Sequence, residues 1–101
     1  MRQIDESAWS VDDETPGQVA MFVQTDRVLA GLWRTGGVQW DPFDVHLEYN
    51  ETIYVLSGSG QLQVNDEAPM NMSPGFTTTI PAGSTTRWMV DKDFTEVWIY
   101  H

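Results

Sequence analysis

Short runs of alternating hydrophobic and polar residues, separated by turn residues, follow one another from residue 17 onward. These runs are rich in Val, Ile, Thr, Tyr, Phe and Trp, which suit the pleated, half-buried surface of a β-strand. No window sustains the i, i+3, i+4 apolar spacing of a core helix. The pattern predicts strands at residues 18–24, 27–35, 38–40, 45–49, 52–56, 61–64, 69–72, 76–80, 85–90 and 94–100. Because no crossover helix separates them, we predict an all-β fold, an antiparallel sandwich or barrel.

The first sixteen residues differ in composition from the rest of the chain. They carry five acids, one arginine and a single bulky hydrophobic anchor, Trp9, and Pro16-Gly17 closes the stretch. This composition predicts an acidic N-terminal arm, residues 1–16, and a single β-barrel domain, residues 17–101. Trp9 is the residue through which we expect the arm to lie over the barrel.

Charge and cysteine content exclude several classes of function. The chain has 15 acidic and 5 basic residues, a formal net charge of -10 and no cysteine. Such a surface repels nucleic acid and anionic membranes, so we expect neither as a partner. Disulfides, thiolate catalysis and cysteine-type zinc sites are also excluded. The start of the chain has no hydrophobic signal region, which predicts a cytoplasmic protein.

Alternation along the strands assigns side chains to faces. Residues two apart share a face, so Glu51 heads a row that continues with Ile53 and Val55. A carboxylate followed by two apolar residues is typical of an interior row with a polar open end. This row predicts a small barrel with a pocket at its mouth. By the same rule Asp44 and His46 point to one side together.

The spacing of these residues resembles the two motifs of the cupin family. A first cupin motif has a His-x-His pair, three or four residues, a glutamate, six residues and a glycine; here Asp44-x-His46 is followed by four residues, Glu51, six residues and Gly58. The second motif corresponds to Gly75, then Pro81-Ala82-Gly83 and, after two more residues, Thr86.

The stretches GLWRTGGVQW, YNETIYVLSG, TTTIPAGSTTRWMV and VWIY are similar to one group of small single-domain cupins. That group includes the ureidoglycine aminohydrolase cupin domains and the ethanolamine-utilisation Q proteins. The resemblance implies a double-stranded β-helix, or small jelly-roll barrel, and a homodimer in which a second copy covers exposed strand edges.

The resemblance also implies a candidate metal site. Asp44, His46 and Glu51 stand at three of the four ligand places, and Thr86, a poor ligand, stands at the fourth. One imidazole and two carboxylates suit manganese or ferrous iron better than zinc. The alternative is a site without metal, in which close acids share a proton and His46 and Glu51 form a general acid–base pair. Both alternatives remain open.

Aromatic residues supply candidate walls for a small-molecule pocket. Trp88 lies two residues after Thr86, and Trp40 lies four before Asp44, so Trp40, Thr86 and Trp88 are the candidate substrate-binding residues. Trp33 and Trp98 are interpreted as core.

Two functions fit these features, and the sequence does not decide whether the protein is an enzyme. The first is metal-assisted, hydrolase-like chemistry on a small polar metabolite such as a ureido or amino compound, with His46 and Glu51 as catalytic residues. The second is a non-catalytic cupin that binds a small molecule without metal.

Overall fold

The structure is a computed structural model that describes residues 5–101. After a 3₁₀-helix at Glu6–Ala8, ten strands follow: β1 Ser10–Val11, β2 Gln18–Gln24, β3 Leu29–Arg34, β4 Phe43–His46, β5 Glu51–Ser57, β6 Gly60–Val64, β7 Met70–Met72, β8 Thr77–Ile80, β9 Thr85–Val90 and β10 Thr95–Tyr100. Within these residues there is no α-helix, and no helix long and apolar enough to span a membrane.

The strands form two antiparallel sheets that enclose one core. The six-stranded sheet has the order β1-β2-β3-β10-β5-β8, and the four-stranded sheet has the order β4-β9-β6-β7. Ile53 and Phe94, on the side of the first sheet, and Leu62 and Met72 of the second belong to the same buried cluster. The predicted all-β, jelly-roll type of barrel is therefore confirmed. The homodimer and the cytoplasmic location stay predictions.

Two predicted strands differ from the structure because loop groups find other hydrogen-bond partners. Residues 38–40 form no strand, and the side-chain amide of Gln39 donates to the Val90 carbonyl at 3.0 Å. The fourth strand was expected at residues 45–49 but spans Phe43–His46. It ends there because Leu47 exchanges backbone hydrogen bonds with the turn at residues 83–84.

A glycine makes room for an aromatic ring inside the barrel. Leu29, Gly31 and Trp33 form the inward row of β3, and the ring of Trp98 from β10 lies against Gly31. A Cβ atom at Gly31 would come within 3.0 Å of that ring and 2.5 Å of the Ala20 carbonyl oxygen. The missing side chain thus sets where Trp98 lies in the interior.

Residues 5–16 of the predicted arm pack against the barrel, and Ser10–Val11 within them form an edge strand of the six-stranded sheet. The Arg34 guanidinium forms an ion pair with Glu6 at 2.7 Å and lies 4.0 Å from the ring centre of Trp9. The Trp33 indole donates a hydrogen bond of 2.9 Å to the Pro16 carbonyl, and β1 pairs with β2. Residues 1–4 of the arm lie outside the described residues.

Gly58 gives a test of the turn between β5 and β6. Its φ is +77°, and a Cβ atom there would lie 2.6 Å from the backbone of Phe94. We expect Gly58→Ala to lower the free energy of unfolding by more than about 2 kcal/mol, because left-handed backbone strain and a steric clash add together. Urea unfolding measures the change.

Gly37→Ala is the matched control. Gly37 has a φ of +81° but no atom within 4 Å of the added Cβ, so it carries only the backbone strain. We expect a loss of about 1–2 kcal/mol there. Equal losses at the two glycines would show that the contact with Phe94 contributes nothing.

Candidate functional site

Strand β4 turns Asp44 and His46 away from the interior. In the register of β4 and β9, Asp44 is opposite Arg87 and His46 is opposite Thr85. Residues paired in this way point to the same side of a sheet. Asp44 forms an exposed ion pair with Arg87 at 3.1 Å, and His46 Nδ1 lies 3.3 Å from the Thr85 hydroxyl. Asp44 and His46 therefore share a face, as predicted, but that face is the exposed outer side of the sheet rather than the side of the cavity.

Apolar residues occupy the inward positions before Glu51. Val45 is partly buried and contacts the core, and Leu47 is buried within it. Three residues separate Leu47 from Glu51, which is the shorter of the two spacings found in the first cupin motif. With this spacing, Val45 and Leu47, rather than Asp44 and His46, correspond to the two histidines of the motif.

The structure consequently does not bring Asp44, His46 and Glu51 together. Glu51 faces the interior, while the other two lie on the outer side of the neighbouring sheet. Across residues 5–101, no group of three or more His, Cys, Asp or Glu side chains is arranged to hold a metal ion. Since Val45 and Leu47 have no ligand atoms, the side chains at these motif places do not fit a metal.

A cavity of about 350 Å³ opens between the sheets, beneath the arm. Five aromatic rings are part of its lining: Trp33, Phe43, Trp88, Trp98 and Tyr100. Trp33 and Trp98 were predicted as core residues. Both are indeed buried, but they also form cavity wall. The role of Trp88 in binding stays a prediction, and its position in the wall is compatible with it.

The other two predicted pocket residues do not line this cavity. Thr86 is fully buried; its hydroxyl donates to the Val45 carbonyl at 3.0 Å and accepts from the Trp88 indole at 2.9 Å. Through the second of these hydrogen bonds, Thr86 fixes the orientation of the Trp88 indole. Trp40 lies in the loop before β4, where its indole donates to the Thr35 carbonyl at 2.9 Å.

Two buried glutamates line the cavity. Glu51, the first residue of β5, is 5% exposed, and Glu96 on β10 is 4% exposed. In the pairing of β5 with β10, Glu51 is opposite Tyr100 and Glu96 is opposite Val55. The sequence analysis missed Glu96. The signal was the alternation in TEVWIY, which puts Glu96 on the same face as Trp98 and Tyr100.

Burial changes the protonation of these carboxyl groups. It raises the pKa of Glu51 from 4.5 to about 7, although a hydrogen bond from Tyr100 acts in the opposite direction. Burial, and then the negative charge of Glu51, raise the pKa of Glu96 well above its ordinary value. Within the described residues Glu96 Oε2 has no hydrogen-bond partner. At neutral pH Glu51 is therefore about half protonated, and Glu96 holds its proton more readily than an ordinary glutamate.

The arm adds further acids at the cavity. Asp12, Asp13 and Glu14 are among its lining residues. Asp12 holds the local turn, since its carboxylate accepts from the Glu14 backbone N–H at 2.9 Å and the Thr15 hydroxyl at 2.8 Å. The lining residues in the described part of the chain include no Lys, Arg or His. The site is thus both acidic and aromatic.

Residues 24–96 match the family model described as a EutQ-like cupin domain. The chain belongs to the EutQ-like cupin family. The predicted relationship to small cupins is confirmed. The likeness to ureidoglycine aminohydrolase domains stays a resemblance in sequence pattern. No curated protein matches the chain.

Solved structures share the fold at low sequence identity. The EutQ protein of Clostridium difficile is 21% identical, with 99% of this chain and 80% of that chain covered and a TM-score of 0.68. A protein from Salmonella typhimurium described as ethanolamine utilization protein Q is 21% identical, with 97% and 83% covered and a TM-score of 0.75. A substrate complex of the Fe(II) protein HppE is 10% identical, with 91% and 53% covered and a TM-score of 0.73. These neighbours establish the fold of the chain.

The raised pKa of Glu51 predicts a pH-dependent stability. Between pH 4.5 and about 7 the folded chain keeps a proton that the unfolded chain releases. The free energy of unfolding should therefore fall by up to about 3 kcal/mol as the pH rises through this range. Glu96 adds to the loss, and Asp12, Glu14 and Tyr100 are the other titratable groups around the pair. Urea unfolding at several pH values measures the slope.

Glu51→Gln keeps the shape of the side chain and removes its titration. We expect a smaller slope and, above about pH 7, a more stable protein than the wild type. Glu48→Gln is the control, because Glu48 is exposed and does not line the cavity. An unchanged slope in Glu51→Gln would contradict the assignment.

Proposed function

We propose that this cupin binds a small organic cation, a protonated amine, in the cavity between its sheets. The carrying observation is the pair of buried carboxyl groups, Glu51 and Glu96, in a cavity that has aromatic lining and, among residues 5–101, no basic side chain in its wall. Among the small polar metabolites expected from the sequence, this site favours amino compounds.

An ammonium group would stabilise the ionised forms of the two buried carboxyl groups. A buried carboxylate without a partner costs several kcal/mol, and a positive charge beside it removes most of that cost. Glu96 Oε2 in particular has an unused acceptor position within the described part of the chain. An ammonium donates hydrogen bonds, so it can supply both the charge and the missing donor.

The aromatic wall supports the same ligand class. Faces of Trp, Tyr and Phe attract cations, most strongly where water is excluded. Trp33, Trp88 and Trp98 all line the cavity, and Thr86 holds the Trp88 indole in place. A volume of about 350 Å³ lies at the lower end of ligand pockets, which supports a small metabolite.

The names of two structural neighbours bear on the choice of probe. Both are described as EutQ, and the Salmonella typhimurium protein as ethanolamine utilization protein Q. Ethanolamine is an amino alcohol with one positive charge at neutral pH. It therefore belongs in a panel of small amines, together with uncharged and anionic compounds of similar size.

Isothermal titration calorimetry with ethanolamine, ethylamine, ethylene glycol and acetate tests the proposal. At about pH 8 we expect the two amines to bind, and ethylene glycol and acetate not to bind. Amine affinity should rise as the pH increases through about 7, because Glu51 ionises. Glu51→Gln should weaken amine binding by at least about tenfold, or roughly 1.4 kcal/mol.

Glu48→Gln is again the matched control and should bind like the wild type. If acetate binds as tightly as the amines, the acidic cavity is not the determinant and the proposal is wrong. The same conclusion follows if the two variants behave alike.

A second candidate is hydrolysis of a neutral ureido or amide compound, with Glu51 as general base. The observation that favours it is a carboxyl group of pKa about 7 at the cavity wall, since such a base is half ionised at working pH. In this role Glu51 takes a proton from the water that attacks the carbonyl carbon, and returns it to the nitrogen that leaves as ammonia when the C–N bond breaks. Tyr100 remains protonated, because burial and nearby carboxylates raise its pKa, and it can donate a hydrogen bond. His46, the predicted partner of Glu51, lies on the outer surface and takes no part.

Ammonia release from neutral ureido compounds tests this candidate. The wild type should release ammonia faster than Glu51→Gln, with the largest difference near pH 7, whereas Glu48→Gln should match the wild type. Elemental analysis of the same preparation checks the metal prediction separately. Equal rates in wild type and Glu51→Gln would exclude Glu51 as the base and leave the binding role.

A further inference from the structure

The arm places a second group of acids at the same cavity as the buried pair. Asp13 and Glu14 are exposed side chains that line its opening, and Glu51 and Glu96 line its interior. Acids of both groups lie near Tyr100, since the negative charges of Glu51, Glu96 and Glu14 all raise the pKa of Tyr100. Like charges gathered around one cavity favour a ligand that brings more than one positive charge.

Several contacts hold the arm in this position. Ser10 and Val11 pair with β2, and Asp12 donates a backbone hydrogen bond of 3.2 Å to the Gly17 carbonyl. On the outer side, Arg34 holds Glu6 through two hydrogen bonds of 2.7 and 3.2 Å. The acids at the opening therefore have a defined position on the barrel.

Arg34, a basic residue that contacts the arm, does not line this site. Arg34 binds Glu6, the Gln18 side chain and the ring of Trp9, and it is not among the lining residues of the cavity. Its charge therefore neutralises the outer part of the arm, and within residues 5–101 neither Asp13 nor Glu14 forms an ion pair.

The interior group supplies an independent sign of a ligand site. Glu96 is 4% exposed and lines the cavity, and within the described residues its Oε2 has no hydrogen-bond partner. A buried acceptor of this kind normally has a partner. The acids of the arm alone would not indicate a site, whereas an unpaired buried oxygen in the same cavity does.

The geometry points to a ligand with a positive charge at each end, a short linear diamine. Its inner ammonium is neutralised by the buried carboxyl groups of Glu51 and Glu96, and its outer ammonium by Asp13 and Glu14 of the arm. The methylene chain between them lies along apolar wall such as Val19 and Trp98. This inference rests on the proposed function and extends it from a single amine to a diamine.

A comparison of putrescine with butylamine, which has the same carbon chain and one ammonium fewer, tests the inference. In calorimetry at about pH 8 and low salt, where exposed charges are least screened, we expect putrescine to bind at least about tenfold tighter. The double variant Asp13→Asn, Glu14→Gln should lower putrescine affinity to that of butylamine. Butylamine affinity should fall much less, because the inner carboxyl groups that bind its single ammonium remain.

The control is the double variant Glu48→Gln, Glu67→Gln, which removes the same net charge from exposed sites that do not line the cavity. It should keep the preference for putrescine. If both double variants lose the preference equally, the attraction comes from the net charge of the whole protein and the second subsite is wrong.

Two further outcomes separate this inference from the proposed function. If butylamine and putrescine bind equally well to the wild type, the diamine inference is overturned and the amine site stands. If neither binds, the proposed function fails and the inference with it.

Discussion

Two carboxyl groups buried among aromatic rings are the constraint on which this site depends. Removing a carboxylate from water is costly, and Glu51 and Glu96 both lie in one low-polarity cavity. They therefore hold protons at pH values where ordinary glutamates are ionised. Their protonation links the stability of the fold, its pH dependence and the class of ligand that we propose for the cavity.

Aromatic packing determines how these carboxyl groups are presented. Gly31 leaves space for the Trp98 ring, and Thr86 accepts the indole hydrogen bond of Trp88. Neither residue supplies polar chemistry to the cavity, but each fixes a ring in its wall. Arg34 acts in a similar way from outside, because its contacts with Glu6 and Trp9 hold the acidic arm against the barrel.

The family scaffold is kept here with different chemistry at its characteristic places. Glu51 stands at the glutamate position of the first cupin motif and faces inward, whereas Val45 and Leu47 occupy the inward places before it. A fold shared with an iron protein such as HppE therefore does not carry over its chemistry. In this chain the polar groups of the cavity come from β5, β10 and the arm.

The sequence alone determined the strand pattern, the motif spacing and the interior row that begins at Glu51, because alternation and turn residues are local properties. It also contained Glu96, on the same face as Trp98 and Tyr100. Only the tertiary structure decided on which face of the sheet Asp44 lies. A shift of one residue in the strand register moves every side chain of the strand to the opposite face. The pairing of β4 with β9, and of β5 with β10, settled these orientations through contacts between residues far apart in the chain.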